Sequence, residues 1–157
     1  MLQLCNLCWD KGVVPSDWRN VVIVPIYKGK GERTECKNFR GISLLSVPGK
    51  VFARVLVDRI ERLTVERMWN VQCGFMKGKG CVDQIFTLRM IVEKCLDVGK
   101  KVFAVFVDLE KAYDGVNRRE LWQVLGEYGV RGKLLVGMRV MYENSKAYVR
   151  ACGWQSV

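Results

Sequence analysis

The sequence predicts an α+β domain, and three observations carry that reading. Residues 21–27 and 102–107 are mostly β-branched or aromatic runs of strand length, 39–45 suggests a further strand and 146–151 alternates as one. Between them lie segments whose apolar residues recur every three or four positions, as on one helix face. Half of the 157 residues are apolar and mean hydropathy is +0.03, which describes a globular chain with a core rather than a disordered one.

The elements follow in order. Leu2, Leu4, Cys5, Cys8 and Trp9 predict a short helix that stops at Gly12. The run from Val21 to Tyr27 predicts a strand, and Pro25 inside it implies an edge strand or a bulge. Lys28-Gly-Lys30-Gly31-Glu-Arg33 is a basic, glycine-containing turn, and the Phe39–Leu45 strand completes a hairpin. Val51, Phe52, Val55, Leu56, Ile60 and Leu63 stripe a helix from about Pro48 to Met68, with Ser46 or Val47 near its cap. A glycine- and lysine-containing loop runs from Trp69 to Cys81. A helix over 82–98 buries Ile85, Leu88, Ile91 or Val92, Cys95 and Leu96, and Gly99 ends it.

Val102–Val107 reads as a strand buried on both faces, with Asp108 at its tip. Asn117 opens a helix with a capping-box-like start, carrying Leu121, Trp122, Val124, Leu125 and Tyr128 inward until Gly129. A further helix spans 132–143. The 146–151 segment alternates as a strand, and Gly153-Trp154 suggests a turn. The strand bearing Asp108 is expected to pair with the 146–151 strand, with helices on one face. No repeat, low-complexity tract or linker divides the chain.

Charge narrows the partners. Lys and Arg number 26 against 16 Asp and Glu, a formal charge of +10. That excess suits a polyanion, and nucleic acid is the simplest. No helix concentrates basic residues against an apolar face, and no apolar run approaches the roughly 20 residues of a membrane span. Seven cysteines and no histidine, without a signal peptide, fit reduced thiols inside a cell. Cys5-Asn-Leu-Cys8 has half the spacing of a zinc knuckle but no second half, so these cysteines read as small core residues of a helix.

The chain is organised around Lys101-Val-Phe-Ala-Val-Phe-Val-Asp108-Leu-Glu-Lys-Ala-Tyr113-Asp114. A carboxylate at the end of a buried strand needs a partner, and a divalent cation is a good one. The plainer reading is a strand end with an acidic turn that caps the next helix. Phe106-Val-Asp108-Leu-Glu-Lys-Ala-Tyr113-Asp114 resembles the first catalytic palm motif of reverse transcriptases, in the form found in non-LTR (LINE-type) retrotransposons. Ile23-Val-Pro-Ile-Tyr-Lys28-Gly-Lys-Gly31, Asn38-Phe-Arg40-Gly-Ile-Ser-Leu-Leu-Ser46, Gln72-Cys-Gly-Phe75 and Asp83-Gln-Ile-Phe86 match the same family in the expected order.

This resemblance implies right-hand polymerase fingers over about 1–100, with an N-terminal extension. It implies the first half of a palm over about 101–157, built as an antiparallel sheet with packed helices. Asp108 would be the catalytic metal ligand, joined by the backbone carbonyl of Val107 or Leu109, of which the motif favours Leu109. Lys28 and Arg40 would meet the incoming triphosphate, with Lys30 competing for the role of Lys28. Tyr113 would lie under the nucleotide sugar, where this subgroup usually carries phenylalanine. Gln72, Gly74, Phe75, Lys77 and Lys79 would touch template, although Lys77 and Lys79 stand where an arginine-bearing form is expected. Asp114 would be a supporting acid tied to Arg118, Arg119 or a backbone donor.

The implied cofactor is Mg2+ or Mn2+. The implied partners are an RNA template, a DNA primer and deoxynucleoside triphosphates, with no membrane. The implied setting is intracellular, in the nucleus and/or cytoplasm.

Nucleotidyl transfer by two ions needs several carboxylates around a pair of ions about 4 Å apart. The family's Asp-Asp hairpin has no counterpart here, because the sequence contains no Asp-Asp pair. The expectation is therefore an incomplete reverse transcriptase domain, inactive alone, lacking the rest of the palm and the thumb. The alternative is a non-catalytic nucleic-acid-binding remnant of a retroelement. A purely structural basic domain is the third possibility.

Overall fold

In the computed structural model, residues 1–110, 112–151 and 153–156 are described. Five helices and four strands form: α1 (Leu2–Lys11), β1 (Asn20–Tyr27), β2 (Phe39–Leu44), α2 (Val47–Thr64), α3 (Cys81–Asp97), α4 (Arg118–Glu127), α5 (Gly132–Tyr142), β3 (Lys146–Ala151) and β4 (Trp154–Gln155). The mixed α+β class is as the sequence predicts. The chain divides into two units, one of Met1–Thr64 with Trp122 onward, the other of Val65–Leu121.

The first unit holds the core. Cys8, Val14, Trp18, Phe52, Leu56, Val130, Leu134 and Val140 are its buried apolar residues. Phe52 and Trp18 pack ring to ring, with centroids 5.6 Å apart. Local signals set the helix ends. Gly12 adopts φ 63° and donates its N–H to the Cys8 carbonyl, closing α1. The Ser46 hydroxyl accepts the Gly49 N–H at 3.3 Å, so Ser46 caps α2 and Pro48 sits in its first turn. Gly137 lets α5 approach α2, since a Cβ there would lie 3.1 Å from Leu56.

The sheet order is β2-β1-β3-β4. β1 pairs antiparallel with β2, setting Ile26 opposite Arg40 and Val22 opposite Leu44. β1 pairs parallel with β3 from Asn20↔Lys146 to Ile23↔Val149. The sheet is therefore mixed, not antiparallel throughout. The long run of chain between β1 and β3, helices included, makes the crossover that parallel pairing requires. Pro25 sits in a central strand rather than an edge one. It lies beyond Ile23, where the β3 ladder has already ended, so its missing N–H breaks no bond on that side.

Two expectations fail. Val102–Val107 is not a strand, and Phe103, Val105, Phe106 and Val107 are each more than 80% exposed. Nor does it pair with β3, whose two edges are taken by β1 and β4. A strand exists only through its ladder, and apolar composition does not supply the neighbour. The helix α3 forms where predicted, but none of its residues is buried, with Ile85 66% and Leu96 62% exposed. Its periodicity marks the face that can be covered, and within its own unit no described residue is buried. The face of α4 is half-buried rather than buried for the same reason: Leu121, Trp122 and Leu125 are intermediate and Val124 is exposed.

Candidate functional site

The hairpin of β1 and β2 is built from its connecting loop outward. The Lys28 N–H donates to the Asn38 carbonyl at 2.8 Å, closing the loop at its base. The Asn38 amide crosses the loop, donating to the Glu32 carbonyl at 2.7 Å and to Glu35 Oε2 at 3.1 Å. The Tyr27 hydroxyl donates to the Gly31 carbonyl. Arg33 lies over the Tyr27 ring, 4.9 Å from its centroid, a cation–π arrangement. Gly29 and Gly31 take φ of +80° and +81°, a region that disfavours other residues. The loop is thus held by its own side chains.

That order sorts the basic residues. Lys28 Nζ donates to the Lys37 carbonyl at 2.7 Å, so one of its three N–H donors is engaged inside the loop. Lys37 forms an ion pair with Glu35 at 2.9 Å. Lys30 and Arg40 are exposed and take no partner among the described residues. Arg40 presents a planar fork of donors suited to phosphate oxygens. Asn38 was quoted in the sequence motif without a role; its through-space bonds show what it does. An asparagine seven residues after a glycine in a basic turn is the only local hint.

The remaining predicted site residues lie in the second unit. Asp108, Leu109 and Asp114 are exposed, the first two on the non-strand segment. Asn117 caps α4, its Oδ1 accepting the Arg119 N–H at 3.0 Å. Phe75 and Tyr113 come together edge to face, centroids 6.3 Å apart at 84°. Phe75 has φ 59° and is 97% exposed. The positive φ of this loop falls on Phe75 and Gly78, not on Gly74.

Gln72 folds back, Nε2 donating to the Gly74 carbonyl at 3.1 Å. Lys79 Nζ holds the Asn70 carbonyl at 2.9 Å, while Lys77 is exposed.

Among the described residues no three His, Cys, Asp or Glu side chains gather as a metal-binding group. Hard divalent ions need several oxygen ligands at about 2–2.6 Å. Asp108 with its neighbours does not provide that set, so the carboxylates present do not fit a pair of magnesium or manganese ions. Among the described residues no helix is long and apolar enough to cross a membrane. Cys8 is buried and Cys5 packs against the same core, so the Cys-x-x-Cys pair lies in the helical core of the first unit.

Residues 26–154 match the family described as reverse transcriptase (RNA-dependent DNA polymerase), and the chain belongs to that family. It is 32% identical over 105 residues to "Probable RNA-directed DNA polymerase from transposon BS" of Drosophila melanogaster, covering 65% of this chain and 12% of that protein. It is 26% identical over 142 residues to the transposon TX1 uncharacterized 149 kDa protein of Xenopus laevis, covering 90% of this chain and 11% of that protein. It is 24% identical over 157 residues to the retrovirus-related Pol polyprotein from type-2 retrotransposable element R2DM of Drosophila melanogaster, covering 99% of this chain and 14% of that protein. The motif reading as a retrotransposon reverse transcriptase domain of the non-LTR kind is borne out. The chain spans 11% to 14% of the length of these relatives.

Proposed function

We propose that this chain carries the nucleotide- and primer–template-binding part of an RNA-directed DNA polymerase, and that by itself it binds without catalysing. The observation that carries this reading is the ordered basic hairpin. Its loop is fixed by Asn38, Tyr27 and Lys28, while Lys30 and Arg40 remain exposed for a triphosphate. The bond that ties Lys28 Nζ to the Lys37 carbonyl, with no such tie on Lys30 among the described residues, favours Lys30 as the phosphate contact. Phe75 and Lys77 present an aromatic ring and a point charge to template, and Tyr113, set against Phe75, is the ring that meets the nucleotide sugar. The ligands are an RNA template, a DNA primer and deoxynucleoside triphosphates.

A divalent ion such as Mg2+ would supply nucleophile activation and leaving-group stabilisation in a complete site, with Asp108 as one ligand. The carboxylates described here do not complete that set, which favours the second reading, a non-catalytic nucleic-acid-binding remnant, for the activity of this chain alone. Titration of labelled primer–template at several salt concentrations tests both. Binding whose log K falls linearly with log salt supports them. No binding near physiological salt would leave a structural basic domain. In a longer polymerase carrying these residues, Arg40→Ala raises the nucleotide KM more than it weakens primer–template binding, and the reverse order refutes the triphosphate assignment.

A further inference from the structure

We propose that the sheet face carrying Tyr148 is a stacking platform for single-stranded nucleic acid, separate from the hairpin loop that meets the triphosphate. The inference rests on the nucleic-acid reading above and adds a site to it. Register places the residues. Asn20 stands opposite Lys146, and Val22 opposite both Tyr148 and Leu44. Arg150 pairs with Gln155 on β4. By the two-residue period of a strand, Lys146, Tyr148 and Arg150 share one face, and the ladder continues it through Val24 and Ile42 to Ile26 and Arg40.

Tyr148 is half-buried at the centre of β3. Lys146 and Arg150, two residues before and after it, are exposed and stand about 13 Å apart along the strand; neither side chain has a partner among the described residues. Tyr148 lines two crevices. One, of about 340 Å³, is lined also by Asn20, Val22, Ser46 and Arg150; the other, of about 710 Å³, is lined also by Lys146 and Gln155.

An aromatic ring flanked by two cations is what a base and its adjoining phosphates require. Stacking accepts any base, because each has a π-face, and the cations follow the backbone. Asp17 lines the first crevice and is the one acid among the described residues of either lining; against it stand Lys146 and Arg150, with Arg40 further along the face. The charge complements a polyanion. A duplex hides its base faces within the stack, so the platform selects single strands such as a template segment ahead of pairing.

The test is fluorescence anisotropy of the whole chain with oligodeoxythymidylate of about 12 nucleotides and with a duplex of equal length. Tyr148→Ala weakens single-strand binding about five- to a hundredfold, moves duplex binding less, and Tyr148→Phe restores it. Arg150→Glu lowers both the affinity and the salt slope. Circular dichroism establishes that each variant folds, and photocrosslinking of a 5-iodouracil oligonucleotide to the unmutated chain, mapped to β3, supplies a readout that needs no variant. The proposal is overturned if Tyr148→Ala folds and leaves single-strand affinity unchanged, if single strand and duplex weaken equally, or if crosslinks avoid β3. If the unmutated chain binds no nucleic acid at all, the reading under Proposed function falls as well; binding that ignores Tyr148 sinks only the platform.

Discussion

Two glycines in the hairpin loop permit a controlled comparison. Gly29 and Gly31 have nearly the same backbone, φ +80° and +81°, so replacing either with alanine incurs the same left-handed penalty, about 1–2 kcal/mol. Their surroundings differ. A Cβ on Gly29 meets nothing within 4 Å, whereas one on Gly31 falls 2.5 Å from Asn38 Nδ2. The Asn38 amide must then turn away and give up its bonds to Glu32 and Glu35. Two hydrogen bonds at about 0.5–1.5 kcal/mol each add about 1–3 kcal/mol to the cost of Gly31→Ala alone.

Amide hydrogen exchange reads local opening directly. The Lys28 amide, which closes the loop on the Asn38 carbonyl, should exchange at least about fivefold faster in Gly31→Ala than in Gly29→Ala, the ratio that 1 kcal/mol yields. Triphosphate affinity should fall more in Gly31→Ala as well. Equal exchange in the two variants would refute the claim that Asn38 organises the loop.

Three further outcomes follow from the same geometry. Lys30→Ala lowers triphosphate affinity more than Lys28→Ala does, by calorimetric titration, because Lys28 Nζ is held by the Lys37 carbonyl; the opposite order restores Lys28 as the contact. Phe52→Ala, at a side chain 1% exposed against Trp18, costs about 3–5 kcal/mol in urea denaturation, and a loss under about 1 kcal/mol contradicts the core described here. Burial, helped by the neighbouring Cys5, pushes the Cys8 thiol above its ordinary range. The folded state then keeps a proton that the unfolded chain sheds, so stability is intact below about pH 8.5 and declines as pH climbs through the raised folded value. Denaturation followed against pH should show that decline, and Cys8→Ala should flatten it.

The sequence made the locally encoded parts legible. Gly12 and Ser46 ended or began helices where residue chemistry demanded it, and the alternation of 146–151 matched β3. These signals act within a few residues. Val102–Val107 had the composition of a buried strand, but strand formation depends on an edge supplied from elsewhere in the fold, which composition does not encode. The stripe of α3 likewise showed which face seeks cover without showing that anything covers it.

The site divides the same way. Arg40 could be singled out from its motif, and the structure leaves it exposed. The tie that holds Lys28 could not be read, because it runs to the Lys37 carbonyl nine residues away. The contact of Phe75 with Tyr113 spans 38 residues of sequence, and no periodicity announces it.

We propose that this chain attracts nucleic acid but does not perform nucleotidyl transfer on its own, and primer extension by the purified chain on an RNA template, with Mg2+ and then Mn2+, run beside a salt titration of primer–template binding, tests this. Binding that weakens as salt rises and no extended primer with either ion are expected. Extension that disappears on Asp108→Asn would contradict it, and would show that Asp108 catalyses with ligands the described residues do not gather.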